Sequence, residues 1–120
     1  MNFRYRQAST RDLPNLMLFV RSVAESVFRD PDSISKNDRQ RVLENEEFVA
    51  VFVAERVPQG EIIGCVTVQR TLFPWSTAAA RCQGLLVEPR LNEADEVASG
   101  LIRAATNFAQ SRWGARHIER

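Results

Sequence analysis

The sequence predicts an α/β fold in which a mixed, mostly antiparallel central sheet is flanked by helices. Two kinds of pattern predict it. Short alternating or β-branched runs recur at residues 3–8, 48–56, 61–72 and 81–89, each the length of a strand or strand pair member. Two stretches, opening near Leu13 and near Glu96, repeat apolar residues at helical spacing. Composition agrees: 44% hydrophobic and 26% charged residues in a chain of 120 describe one ordered domain, 1–120, with a sizeable core.

The elements follow in order. "FRYRQA" alternates apolar and polar residues and reads as a first strand. Ser9 or Thr10 then offers a helix N-cap, with Asp12 in the first turn and Pro14 tolerated there. Leu13, Leu16, Met17, Val20, Ala24 and Val27 fall on one helical face. Pro31 breaks that helix, and Asp32 or Ser33 can cap a second, more polar one over about 34–45. "FVAVFVAER" and "EIIGCVTVQRTL", joined by "VPQG", read as a hairpin. "FPWSTAAA" reads as a longer connection to the strand "RCQGLLVEP". A third helix from about Glu96 carries Val97, Leu101, Ala104, Ala105, Phe108 and Ala109 on one face and ends at Gly114. "ARHIER" begins a last strand, so the order is β-α-α-β-β-β-α-β, and the final β-α-β unit is a parallel crossover.

Charge and cysteine content narrow the function classes. A net charge of +1 argues against a nucleic-acid or membrane surface built on bulk charge. The basic residues are almost all Arg, Lys36 being the single lysine. Cys65 and Cys82 fall in strands whose pairing separates them, which predicts free thiols and a reducing, cytoplasmic location. With His117 as the one histidine, no zinc set is expected. Arg4, Arg6, Arg11 and Asp12 interrupt the start, so no apolar leader is expected.

This order of elements, with "YRQASTRDLPNLMLFVRSVAESVF", "VFVAERVPQGEIIGCVTV" and "LLVEP" before an apolar helix, resembles the GNAT superfamily of N-acetyltransferases over about residues 3–119. The resemblance implies acetyl-CoA as cofactor and transfer of an acetyl group to an amine of a small molecule or peptide. It implies a bulged fourth strand whose Leu85, Leu86 and Val87 pair with the pantetheine arm. It also implies a following loop and helix start that receive the diphosphate on backbone amides. Here those amides would be those of Asn92, Ala94, Val97, Ala98 and Ser99.

The sequence departs from the family in three places. The diphosphate loop lacks its glycines and holds Glu93, Asp95 and Glu96 instead. Beside a diphosphate, each carboxylate at 4 Å costs about 1–4 kcal/mol at effective dielectrics of 80 to 20; at a helix start without an anion, the same acids stabilise the helix dipole. The family's fourth helix and last strands are not matched, which predicts an open sheet edge and a homodimer formed along it. No catalytic acid or base stands out: the single tyrosine, Tyr5, lies in the first strand, and Gln83 stands where many relatives place an acid. Glu25 and Glu55 are candidates for lining a substrate cleft, Cys82 for a nucleophile, and Phe73 with Trp75 for a substrate or partner contact. Two readings stay open: an acetyl-CoA-dependent acetyltransferase, or a non-catalytic binding or interaction module that has lost the phosphate loop.

Overall fold

The computed structural model describes residues 2–24, 36–73 and 76–120. Five strands lie side by side in chain order: β1 (Phe3–Gln7), β2 (Val49–Arg56), β3 (Glu61–Phe73), β4 (Ser76–Val87) and β5 (His117–Glu119). Neighbours are antiparallel except β4 and β5, which run parallel. Helices α1 (Leu13–Ala24) and α2 (Lys36–Glu44) cover one face, and α3 (Ala94–Trp113) covers the other. The three layers follow from the alternation of side chains along the strands. Ala50, Phe52, Ala54, Val66, Val68, Ala80 and Cys82 pack under α3. Val53, Ile62 and Cys65 pack under α1 with Leu13, Leu16 and Phe19.

Three element boundaries differ from the sequence expectation. β4 begins at Ser76 rather than residue 81, because β3 and β4 stay paired out to Phe73–Ser76. Residues 76–80 of the expected connection are therefore strand, and the ladder overrides the weak strand preference of Ala78–Ala80. α3 begins at Ala94, two residues before Glu96. Successive turns, Leu91 N–H to Glu88 O at 3.2 Å and Ala94 N–H to Leu91 O at 3.3 Å, wind the loop into the helix before its apolar periodicity begins. At the other end of α1, a 3₁₀ turn over Thr10–Asp12 precedes the helix proper. Its Asp12 accepts from Ser9 N–H at 2.7 Å, which satisfies a donor the helix start leaves open.

Glycine decides how closely α3 approaches the sheet. A methyl group at Gly64 of β3 would lie 2.9 Å from Leu101 Cδ1 and 3.1 Å from Val97 Cγ1. One at Gly100 of α3 would lie 2.2 Å from Cζ of Tyr5. The ring of Tyr5 thus occupies the space a side chain on α3 would need, and its hydroxyl donates to Glu96 O at 3.4 Å. The far end of α3 is fixed by Trp113, whose Nε1–H donates to Glu46 O at 3.0 Å and whose ring meets Phe108 edge to face at 5.1 Å. Gly114 closes the helix at φ 64°, as its position predicts, with Ala115 N–H on Ala109 O.

Glu55 does not line a cleft. It is 5% exposed and is held by Arg4 and by Arg6, whose Nη2 also bonds Asp12 Oδ1 at 2.7 Å. This chain of ions ties β1, β2 and the start of α1 together, and each charge has a partner as burial requires.

Two outcomes are expected. Gly100→Ala should destabilise the domain by about 1–3 kcal/mol in urea unfolding, since overpacking against a strand ring outweighs alanine's helix preference. Combined with Tyr5→Ala, its added cost should shrink markedly, the non-additivity of residues in contact. Second, the Arg6 guanidinium holds the Asp12 carboxyl below its ordinary value of 3.8. A depressed carboxylate contributes stability above that value and loses it as pH falls. Asp12→Asn should therefore cost about 1 kcal/mol at pH 7, and the gap from the parent should close as pH drops below 3.8 in parallel denaturation curves.

Candidate functional site

The departures from regular pairing gather at the end of β4. Cys65 pairs with Leu86 and Thr67 with Gln83, so the single residue Val66 faces Gly84 and Leu85 together. This is a β-bulge in β4, and Gly84 supports it with φ +67°, a conformation that strains any L side chain. On the other side β5 pairs only with Ala79–Arg81. Among the described residues no strand lies beside the outer edge of β4 from Gln83 to Val87.

Leu85 sits in the bulge and is 41% exposed. Leu86 packs toward α1 and Val87 toward α3. The chain then turns through Glu88, whose N–H still bonds Ile63 O at 2.9 Å, into the loop before α3. Asn92 is exposed in that loop, and it lines a cavity of about 380 Å³ with Arg56, Glu61, Glu88, Arg90 and Glu93. The earlier start of α3 changes which amides can face a ligand. Val97 N–H is bonded to Glu93 O at 3.0 Å and the Val97 side chain is wholly buried in the core. Ala98 and Ser99 lie a further step inside the helix, where amides bond the preceding turn. Ala94 N–H meets Leu91 O, which leaves the first-turn amides of Asp95 and Glu96 as those with no carbonyl one turn back inside the helix.

Charge at this place is mixed. Glu93 is the N-cap of α3 and makes no side-chain capping bond; Asp95 and Glu96 follow in the exposed first turn. Arg56 sits 3.5 Å from Glu61, and Arg90 is tied to Glu88 at 3.2 Å. Two guanidinium groups thus flank the loop, each already beside a carboxylate.

Other sequence candidates fall elsewhere. Tyr5 is packed against Gly100, with its phenol raised by burial, and does not reach the β4 edge. Cys65 and Cys82 lie on opposite faces of the sheet and are both free. Burial pushes the Cys65 thiol up to about 12 and raises Cys82 as well, so neither is an activated nucleophile. His117 is exposed on β5 opposite Ala79. Glu25 and Trp75 lie outside the described residues; Phe73 closes the β3–β4 pairing opposite Ser76. Among the described residues no group of His, Cys, Asp and Glu is arranged to hold a metal ion, and no helix is long and apolar enough to cross a membrane.

The bulged β4, parallel to β5 and running into a helix start, is the arrangement that decides the likeness of fold. The fold is that of the GNAT acetyltransferases. An aminoglycoside acetyltransferase from an uncultured soil metagenomic sample superimposes with a TM-score of 0.77 over 98% of this chain and 78% of its own, at 19% identity. The aminoglycoside N-acetyltransferase AAC(6')-Iy, solved with the bisubstrate analogue CoA-S-monomethyl-acetylneamine, gives 0.75 over 98% and 78%, at 20% identity. A ribosomal-protein-alanine N-acetyltransferase from Brucella melitensis biovar Abortus 2308 gives 0.73 over 99% and 78%, at 17% identity. No protein-family model and no curated protein sequence matches the chain. The GNAT fold is therefore carried by geometry rather than by sequence identity.

Gly84 and the Arg56–Glu61 pair were not among the residues singled out from the sequence. The signal for Gly84 was present: a glycine isolated inside a strand pattern marks a bulge. Nothing in the linear sequence placed Arg56 and Glu61 beside the α3 loop.

The buried thiols give a direct check. In the folded protein at pH 8, both cysteines should react with a chromogenic disulfide reagent at least about 100-fold more slowly than in urea, since reactivity follows exposed thiolate. Rapid labelling of Cys82 in the native state would return it to the list of nucleophiles.

Proposed function

We propose that this protein is an N-acetyltransferase that uses acetyl-CoA to acetylate an amine of a small molecule or peptide. The observation that carries the reading is the bulge at Gly84–Leu85, which interrupts the regular run of β4 just ahead of the start of α3. An open strand edge binds an extended amide-containing chain by strand addition, and the pantetheine arm is such a chain. Leu85, Leu86 and Val87 supply the backbone edge. Asn92, Ala94 and the first-turn amides of Asp95 and Glu96 would receive the diphosphate end, and Arg56 and Arg90 line a cavity with Asn92. The residues present fit the arm well; at the diphosphate end Glu93, Asp95 and Glu96 offset part of the attraction.

Bound acetyl-CoA would supply a thioester. That thioester would serve as acetyl donor to the neutral amine, the free thiol of CoA leaving with the proton that nitrogen loses. The chain's part is to hold the reactants in line and to exclude competing water. No described side chain stands out as the general base, and a water relay is consistent with the exposed edge.

The acidic helix start favours a second reading, a binding module of the same fold that no longer takes the cofactor. Calorimetric titration of CoA and of pantetheine at low salt separates the two. Micromolar CoA binding is the expected result, and neutralising Glu93→Gln, Asp95→Asn and Glu96→Gln should tighten it by about fivefold for each carboxylate close to the diphosphate, as loss of about 1 kcal/mol of repulsion per close pair predicts. Pantetheine, which lacks the diphosphate, should be indifferent to the triple change. Absence of binding by the folded chain at millimolar CoA would leave the module reading.

A further inference from the structure

One face of the sheet is polar where its neighbour is core. Val66, Val68, Ala80 and Cys82 point toward α3, so the intervening Thr67, Gln69, Arg81 and Gln83 point to the face on which α1 packs. Glu119 of β5, directly opposite Arg81, joins them. Toward β1 the same face is apolar and covered: Val53, Ile62 and Cys65 lie under α1. Toward β4 and β5 no described helix covers it, and Gln69, Arg81, Gln83 and Glu119 are all exposed.

These side chains are organised in pairs. Gln83 Nε2 donates to Gln69 Oε1 at 2.8 Å, and Arg81 Nη2 donates to Glu119 Oε1 at 2.9 Å. Each glutamine keeps an unused amide donor or carbonyl for a ligand. The platform carries one positive and one negative charge, and they neutralise each other. Among its five residues the single carboxylate, Glu119, is already bound to a guanidinium, which holds it below the ordinary carboxylate range.

The position of this platform follows from the proposed cofactor. With the diphosphate at the start of α3, the arm runs back along β4 from Val87, and a chain of that length covers about four strand residues at ~3.3 Å each. The thioester then falls beside Gln83, at the edge of the polar face. An amine attacking it there would meet Thr67, Gln69, Arg81, Gln83 and Glu119.

We propose that this platform selects a monoamine bearing hydroxyl or amide groups, bound by the Gln69–Gln83 pair and the Arg81–Glu119 pair, and discriminates against polycationic amines. An acceptor with several ammonium groups needs several free carboxylates, because each unpaired cation brought onto a neutral polar surface loses hydration without a counter-charge. The glutamine pair offers hydrogen bonds instead, which recognise neutral polar groups around one amino group. The inference rests on the acetyltransferase reading and adds the acceptor class to it.

The test uses the full chain with acetyl-CoA and follows thiol release with four acceptors: glucosamine, alaninamide, spermidine and a triamino aminoglycoside. CoA affinity is measured in parallel by calorimetry. The expected result is a kcat/KM at least tenfold higher for the first two than for the last two. Gln83→Glu should move that ratio at least tenfold toward the polycations by adding a free carboxylate. Gln69→Glu, off the cofactor edge, should do the same and guards against a folding fault in the first variant. CoA binding with a preference for polycations, with no turnover of any acceptor, or with a ratio unmoved by both variants overturns the acceptor assignment alone. Failure to bind CoA overturns the acetyltransferase reading and this inference with it.

Discussion

The contact between α3 and the sheet sets the geometry on which the rest depends. Two glycines make it possible: Gly64 lets Val97 and Leu101 settle onto β3, and Gly100 lets the Tyr5 ring settle onto the helix. Because Val97, Leu101, Ala105, Ala109 and Trp113 are all buried along one stripe, the helix cannot slide along its axis without exposing apolar surface. Its N-terminus is therefore fixed beside the end of β4, next to the bulge. A helix start and a bulged strand end lie together because a core stripe holds them there.

At that junction the physics of helix ends meets the physics of anion binding. The positive end of the α3 dipole attracts either a ligand's phosphates or the protein's own carboxylates, and each satisfies the same field. Here the chain carries Glu93, Asp95 and Glu96 at that end. Exposed acids in a first turn are screened by salt and turn toward water, so they weaken an anion site without closing it. Arg56 and Arg90 line a cavity with Glu93 at the loop before α3. The balance is one of a few kcal/mol in either direction, small enough for ionic strength to shift it.

Much of this was legible in the sequence, for reasons that differ by element. The core strands and α3 announced themselves through periodicity, because burial on one face is a local pattern. Gly114 marked the end of α3 because only glycine takes its left-handed turn easily. The start of α3 and the length of β4 were less legible. Tight turns at Leu91 and Ala94 wind the helix before any apolar residue appears, and the pairing of β3 with Ser76–Ala80 depends on a partner strand rather than on alanine's own preference. The burial of Glu55 could not be read at all, since its partners Arg4 and Arg6 lie about fifty positions away along the chain. The polar face shared by Gln69, Arg81 and Glu119 likewise needed the register of three strands.

The bulge has one more consequence, which concerns parity. Before it, even-numbered residues of β4, Ala80 and Cys82, face α3; after it, Leu86 faces α1 and Val87 faces α3. Gly84 and Leu85 thus act as a phase step in the strand. The stretch before the step and the stretch after it are each correctly oriented only because one residue is counted twice. Regular pairing with Gly84 and Leu85 both kept would turn Leu86 and Val87 to the wrong faces, whereas deleting Gly84 would restore the plain ladder, keep both on their present faces and remove the bulge. In this strand the number of residues is as much a part of the structural information as their kind.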